Sequence, residues 1–281
     1  MRQPIIDSHV HFWDPNHLNY NWLADLPAIN KPFLPADLVA QTEDLNVEQV
    51  VFVQAGGDPA EWLQEVDWVT QLAQAEPRIA GIVAFAPLEL VDEARAALRE
   101  LRQRPLVKGV RRLIQSEPLG FATQPDFVAG VQALAEYDLS FDICIYHPQL
   151  GDVLQLVAQC PQVRFVLDHL GKPDAKTPLF EPWREQITTL AQFPNVWCKL
   201  SGLVTEAHHA HWTRQGLRPF IGHIIHSFGP NRILYGGDWP VSLLAATYRE
   251  WIETLRWATA DLTPADQHKL FYENARVFYG L

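Results

Sequence analysis

The sequence contains few cysteines, few basic residues and no long apolar run. Its 281 residues include three cysteines, Cys144, Cys160 and Cys198, which form no C-x-x-C pair. This odd, widely spaced set argues against a disulfide framework and predicts buried thiols. Lys and Arg total 22 against 33 Asp and Glu, a formal net charge of −11. Such a balance argues against a nucleic acid or an anionic membrane surface as a partner.

Targeting segments are also absent from the sequence. The first residues lack the basic, apolar and small-residue pattern of a signal peptide. No apolar run reaches the roughly 18 residues that a membrane-spanning helix needs. We therefore expect a cytoplasmic protein. The sequence does not indicate an oligomeric state.

Eight short apolar runs predict eight β-strands. Successive strands begin roughly 30 residues apart, which is the length of one strand–loop–helix unit. The segments between them mostly show helical periodicity, as in the stripe Trp62, Val66 and Val69. This alternation predicts an α/β fold, a (β/α)₈ TIM barrel forming one domain over residues 1–281. A doubly wound open sheet is the alternative. The predicted strands are residues 5–11, 49–54, 79–87, 107–114, 140–146, 163–169, 195–201 and 232–238.

Two long connections interrupt this rhythm. Residues 12–35, after the first strand, are rich in aromatic residues and proline, and residues 203–216, after the seventh, are rich in histidine. Both are expected on the C-terminal face of a barrel, where active sites are built. His208, His209 and His211 resemble a metal tract, but on a polar loop they are expected to be solvated.

Histidines and carboxylates stand at the ends of the first, sixth and last strands. By strand alternation Asp7, His9 and His11 share a face, so both histidines can approach one metal ion or one substrate oxygen. His169 is predicted at the rim of the barrel and Asp168 on the opposite face of its strand, with the orientation of an imidazole ring as the alternative for Asp168. Asp238 follows two glycines and is expected to point inward as the catalytic base.

Other polar residues are candidates for substrate binding. One arginine of Arg111 and Arg112 must face inward on the fourth strand, where a guanidinium can clamp a carboxylate or polarise a carbonyl. His147 follows the fifth strand and either lines the site or begins a helix. Lys199, on the seventh strand, is interpreted as a buried cation paired with Asp7.

Aromatic residues near the predicted rim offer flat apolar surfaces on which a sugar ring can pack. Ordinary packing in the core is the alternative for all of them. The candidates for contact with substrate are Trp13, Trp22 and Trp239.

Five motifs occur together and in order, and with them the chain resembles the amidohydrolase superfamily, in its branch of sugar-lactone hydrolases. The resemblance spans nearly the whole chain and implies a (β/α)₈ barrel and a small-molecule sugar lactone as substrate. It assigns functional positions to His9, His11, His169 and Asp238. The motifs are residues 6–13, 109–111, 168–173, 199–202 and 236–240, followed by Glu273-Asn274-Ala275.

The resemblance implies ester hydrolysis in carbohydrate metabolism, of the L-fuconolactonase or L-rhamnonolactonase type. Asp238 would activate water, while the three histidines, directly or through one divalent ion such as Zn or Mn, would polarise the carbonyl. Members of this branch work with one ion or with none. Two alternatives are a metal-dependent decarboxylase of an aromatic or unsaturated acid and a non-catalytic sugar-binding barrel.

Overall fold

The structure, a computed structural model, describes residues 3–177 and 181–281. Within them, eight parallel strands hydrogen-bond in chain order, each with the next. The doubly wound alternative is therefore wrong, because its strand order would reverse direction once. The strands are β1 (Ile5–Val10), β2 (Val47–Val53), β3 (Ile79–Ala84), β4 (Val107–Val110), β5 (Ser140–Ile143), β6 (Phe165–Leu167), β7 (Val196–Leu200) and β8 (Ile233–Tyr235).

Helices follow the strands and cover the outside of the sheet. In the described residues, no helix is both long enough and apolar enough to cross a membrane. The helices are α1 (Pro35–Thr42), α2 (Trp62–Ala75), α3 (Val91–Arg102), α4 (Pro125–Ala133), α5 (Leu150–Gln159), α6 (Trp183–Leu190), α7 (Arg214–Phe228), α8 (Tyr248–Ala258), α9 (Pro264–His268) and α10 (Asn274–Tyr279).

The apolar residues form two clusters, one on each side of the strands. In β2, Phe52 belongs to the large cluster packed against the helices, whereas Val51 and Val53 belong to a smaller cluster. The smaller cluster joins residues of β1, β2, β3, β6 and β8 with Phe278 and Tyr279 of α10. Residues of such distant strands can meet only inside the barrel, so α10 closes its N-terminal end.

The first and last strands meet where they end, which closes the barrel. Val10 forms a parallel bridge with Trp239. The amide of Asp238 donates to the carbonyl oxygen of His9 at 2.8 Å, and the amide of His11 donates to that of Trp239 at 2.7 Å. The predicted (β/α)₈ barrel is thereby confirmed, and residues 9 and 238 become neighbours across the seam.

Strand β1 contains an irregularity that reverses its faces. Asp7 pairs with Val50 but Val10 pairs with Phe52, so β1 advances three residues while β2 advances two. The carboxylate of Asp7 therefore lies outside the barrel, where it accepts a 2.8 Å hydrogen bond from the hydroxyl of Tyr248 in α8. The prediction that Asp7 shares a face with His9 and His11 is wrong, because the extra residue shifts the alternation.

Two helical glycines test how tightly the helices pack. A Cβ on Gly130 of α4 would lie 2.8 Å from the carbonyl carbon of Leu88, whereas one on Gly222 of α7 would meet nothing within 4 Å. We expect Gly130→Ala to lower the free energy of unfolding by about 3 kcal/mol. Gly222→Ala should raise it by about 1 kcal/mol. Urea denaturation measures both, and equal effects would contradict the packing described.

Candidate active site

Three imidazoles and one carboxylate converge where β1, β6 and β8 end. The Nε2 atoms of His9 and His11 lie 3.2 Å apart. Oδ1 of Asp238 lies 3.7 Å from Nε2 of His9, 3.5 Å from that of His11 and 3.8 Å from that of His169. All four side chains are buried. Four ligand-type atoms thus surround one small volume at the C-terminal end of the barrel.

The backbone beyond β6 and β8 leaves the strand conformation to aim these side chains. His169 and Asp238 both have positive φ, 53° and 52°, which is costly for residues with a side chain. Alternation holds as far as Asp168, since Val166 packs inside the barrel and Leu167 against the helices, and the left-handed backbone at His169 brings the next side chain inward as well. The prediction that Asp168 faces away is wrong, because it assumed that alternation continues to His169.

Glycines make room for the cluster. A Cβ on Gly202, after β7, would lie 2.7 Å from Oδ2 of Asp238 and would also clash with the ring of His169. A Cβ on Gly236 would lie 2.8 Å from that of His9. These two positions have no space for a larger residue, so the close packing of the site requires glycine at both.

Hydrogen bonds at Nδ1 orient the imidazoles. Nδ1 of His11 donates to the carbonyl oxygen of Val53 at 2.7 Å, which leaves its Nε2 lone pair facing the cluster. Nδ1 of His169 pairs with the hydroxyl of Ser201 at 2.9 Å. Burial lowers the pKa of all three rings, that of His169 to about 4. The imidazoles are therefore neutral at neutral pH and can serve as ligands.

Asp238 is ionised in this setting. Burial by itself would raise the pKa of its carboxyl, but the electrostatic interactions with His169 and the other two imidazoles outweigh burial and hold the pKa well below its usual range. The side chain is thus a carboxylate at neutral pH, which can accept a proton or bind a cation.

Buried charges beneath the histidines hold His9. Nζ of Lys199 donates to Oδ2 of Asp142 at 2.6 Å and lies 3.0 Å from Oδ1 of Asp168. The same Asp168 oxygen lies 3.3 Å from Nδ1 of His9. The two carboxylates overcome the effect of burial and raise the pKa of Lys199, so it stays charged. Its predicted pairing with Asp7 is wrong, because Asp7 lies outside the barrel.

Of the two candidate arginines, Arg111 faces inward. Its Nη1 lies 3.3 Å from Asp168 and 3.4 Å from Nε2 of His9. Arg112 points the other way, and its Nη2 donates to Glu89 and Glu117, each at 2.6 Å. Arg112 therefore does not line the site, and the choice left open by the strand pattern falls on Arg111.

A cavity of about 350 Å³ opens above this cluster. His11, Arg111, His169 and Asp238 form its floor. Two loops that interrupt the strand–helix rhythm contribute Trp22 and Thr205 to its walls, as expected for loops on the C-terminal face. The other lining residues are Ala55, Gly56, Leu113, Gln115, Ser116, Cys144, Lys172 and Val241.

A sequence model of the amidohydrolase family matches residues 6–281. The chain belongs to this family. An L-fucono-1,5-lactonase of Burkholderia multivorans is 35% identical, covering 98% of this chain and 96% of its own. A second L-fucono-1,5-lactonase, from Burkholderia ambifaria, is 30% identical over 98% of this chain and 95% of its own. A crystal structure of an amidohydrolase from Burkholderia multivorans with bound Zn has a TM-score of 0.89, with 31% identity over 99% of both chains.

Three residues of this amidohydrolase that were predicted to contact substrate, Trp13, Trp239 and His147, do not line the cavity. Trp13 and Trp239 are fully buried, and both rings pack edge-on against Phe33. His147 begins the turn before α5 and is half-buried, outside the cavity lining. Their aromatic or polar character is therefore used for packing and helix entry. Among the predicted aromatic contacts, Trp22 lines the cavity.

Several residues of the site were missed from the sequence. Lys172 belongs to the Asp-His-Leu-Gly-Lys-Pro motif, and its place just after the predicted strand that ends at His169 could have indicated a residue at the rim of the barrel. Gln115, Thr205 and Asp142 carry no motif that distinguishes them from ordinary polar residues. They are brought to the site by tertiary structure alone.

The donor set of this amidohydrolase fits one divalent metal ion. His9, His11 and Asp238 form a buried group whose ligand atoms all lie within 4.8 Å of one another, and Nε2 of His169 lies 3.8 Å from Oδ1 of Asp238. Around a tetrahedral zinc ion, ligand atoms about 2.0 Å from the metal lie about 3.3 Å apart, close to the separations observed. Three imidazoles with one carboxylate favour zinc over magnesium or calcium.

Gly202 provides a test of this geometry. We expect Gly202→Ala to reduce turnover by about 100-fold or more, because the new methyl group displaces His169 and Asp238. Gly120→Ala is the matched control, since Gly120 also has a positive φ, 87°, but a Cβ there would meet nothing within 4 Å. The left-handed backbone should cost each variant about 1 kcal/mol of stability, and the clash should add to this cost in Gly202→Ala. Equal activity in the two variants would contradict the close approach at Gly202.

Proposed function

We propose that this amidohydrolase hydrolyses a sugar-acid lactone of the L-fucono-1,5-lactone type. The observation that carries the proposal is the buried carboxylate of Asp238, ringed by three neutral imidazoles at the floor of a cavity. This arrangement can activate water beside a polarised carbonyl. The names of the Burkholderia relatives support the lactone as substrate, and the L-rhamnonolactone type remains the related alternative.

In the proposed reaction, Asp238 accepts a proton from the attacking water as the water oxygen bonds to the lactone carbonyl carbon. The bond from that carbon to the ring oxygen then breaks, and Asp238 returns the proton to the leaving oxygen. Because its pKa is depressed, Asp238 begins each cycle as the carboxylate that this role requires. The product is the open hydroxy acid.

The developing oxyanion is stabilised by the groups around Asp238. Arg111 places a guanidinium nitrogen within 3.4 Å of Nε2 of His9, where an N–H group can donate to the oxyanion. A divalent ion held by His9, His11, His169 and Asp238 would supply Lewis acidity there when bound. The hydrogen bonds at Nδ1 of His11 and His169 keep these two rings in place.

The charges of the cavity favour a neutral substrate over a carboxylic acid. Among the described residues that line it, the cations are Arg111 and Lys172. Arg111 is already paired with Asp168, and Lys172 lies 4.0 Å from Glu206. A decarboxylase needs a cation to clamp the carboxylate of its substrate. Both cations of this cavity already have a carboxylate of the protein beside them. This supports the lactonase over the decarboxylase.

Replacing the proposed base tests the function. Purified protein should release acid from L-fucono-1,5-lactone in a pH-indicator assay, and Asp238→Asn should lower kcat by about 1000-fold because the amide cannot accept the proton. Asp261→Asn, at an exposed carboxylate paired with Arg218, should keep the wild-type rate.

Other outcomes would redirect the proposal. Near wild-type turnover by Asp238→Asn would exclude Asp238 as the base. If no lactone of an L- and D-sugar panel releases acid, with Zn restored, the lactonase is excluded. Carbon dioxide release from an aromatic acid would then favour the decarboxylase, and lactone binding without turnover would favour a sugar-binding barrel.

Metal loading is tested separately from activity. After incubation with Zn and gel filtration, we expect about one zinc per chain by elemental analysis, and strongly reduced zinc in His11→Ala, because four ligands become three. His209→Ala changes an exposed histidine away from the cluster and should leave the zinc content unchanged. Equal zinc in His11→Ala and wild type would contradict the ligand assignment. Rates with and without chelator then show whether the ion contributes to hydrolysis.

A further inference from the structure

The cavity has walls of two chemical kinds above its floor. Trp22, Leu113 and Val241 present apolar groups, whereas Gln115 and Lys172 present polar ones. Neither polar residue belongs to the set that surrounds Asp238. A pocket with a few directed polar groups on one side is suited to recognising the orientation of a polyhydroxylated ring.

Lys172 is held in a fixed position. It follows Gly171 and has a positive φ of 48°, and its side chain is 14% exposed. Nζ donates to Oε1 of Gln115 at 2.5 Å. An ammonium group has three N–H donors, and no second hydrogen bond from Nζ to the described residues is found. The group therefore retains donors for a ligand in the cavity.

Gln115 is fixed through its carbonyl oxygen and keeps its amide nitrogen free. Oε1 accepts from Nζ of Lys172 and, at 3.3 Å, from the thiol of Cys144. Nε2 has no hydrogen-bond partner among residues 3–177 and 181–281, although the side chain lines the cavity. The residue thus presents an amide donor next to the ammonium group.

The charge near this pair argues against an anionic ligand group. Glu206 lies 4.0 Å from Nζ and is largely buried, so the ammonium charge is compensated within the wall. Adjacent donors with compensated charge match neutral oxygen acceptors, such as neighbouring hydroxyl groups of a sugar. A ligand carboxylate here would approach Glu206 and be disfavoured.

We propose that Lys172 and Gln115 form a hydroxyl-recognition pair that selects polyhydroxylated lactones over unsubstituted ones. This inference rests on the proposed function and deepens it. The pair contacts the sugar hydroxyls, away from the carbonyl at Asp238. It determines which lactone is opened rather than how the ester bond breaks.

The test compares two lactones of the same ring size, L-fucono-1,5-lactone and δ-valerolactone, which lacks hydroxyls. Lys172→Met and Gln115→Leu should each lower kcat/KM for the sugar lactone by roughly 10- to 100-fold, the effect of a lost hydrogen bond to a charged or buried donor. For δ-valerolactone, neither variant should differ from wild type by more than about two-fold. Where turnover of δ-valerolactone is too slow to measure, its inhibition constant against the sugar lactone replaces kcat/KM.

Two controls separate recognition from structural damage. Lys176→Met removes an exposed lysine of the same segment that does not line the cavity, and should leave both substrates unaffected. Lys172→Arg keeps cationic donors and should recover part of the loss on the sugar lactone. Equal losses on both lactones in Lys172→Met would overturn the recognition role while leaving the proposed function intact. Wild-type protein that opens neither lactone would instead contradict the proposed function itself.

Discussion

The site depends on two backbone hydrogen bonds that join the ends of β1 and β8. They place the main chain of Asp238 beside His9 and that of His11 beside Trp239, so residues more than two hundred positions apart share one corner of the barrel. Without this seam the carboxylate has no imidazoles around it and the histidines lack their fourth ligand-type atom. The closed barrel therefore assembles the reactive cluster, whereas the loops form the walls of the cavity above it.

Much of the fold and the reactive cluster could be predicted from the sequence. The eight apolar runs are confirmed as strands because parallel strands buried on both faces need continuous apolar residues, as Val50 to Val53 show. The convergence of His9, His11, His169 and Asp238 was expected, since polar residues at strand ends have few other positions in a barrel. The structure brings these four together, although their catalytic roles remain proposals.

The remainder depends on local geometry that alternation does not encode. The irregularity in β1 puts Asp7 on a different face from His9 and His11, and the left-handed backbone at His169 turns this ring inward beside Asp168. Each feature involves a single residue, yet it changes the side of the sheet to which a neighbouring side chain points. Arg112 points away from the site because it pairs with Glu89 and Glu117, and the strand pattern does not indicate which arginine forms these ion pairs.

Helix α10 also has a consequence for how the protein is made. Tyr279 reaches into the barrel, where its hydroxyl donates to Oδ2 of Asp142 at 2.7 Å, the same oxygen that accepts from Lys199. All eight strands leave the ribosome before this helix does. Until α10 is synthesised, the N-terminal end of the barrel interior, with its apolar and charged side chains, is open to water. The closure of the barrel by α10 therefore follows the synthesis of all eight strands, and a nascent chain carrying every strand still lacks a finished core.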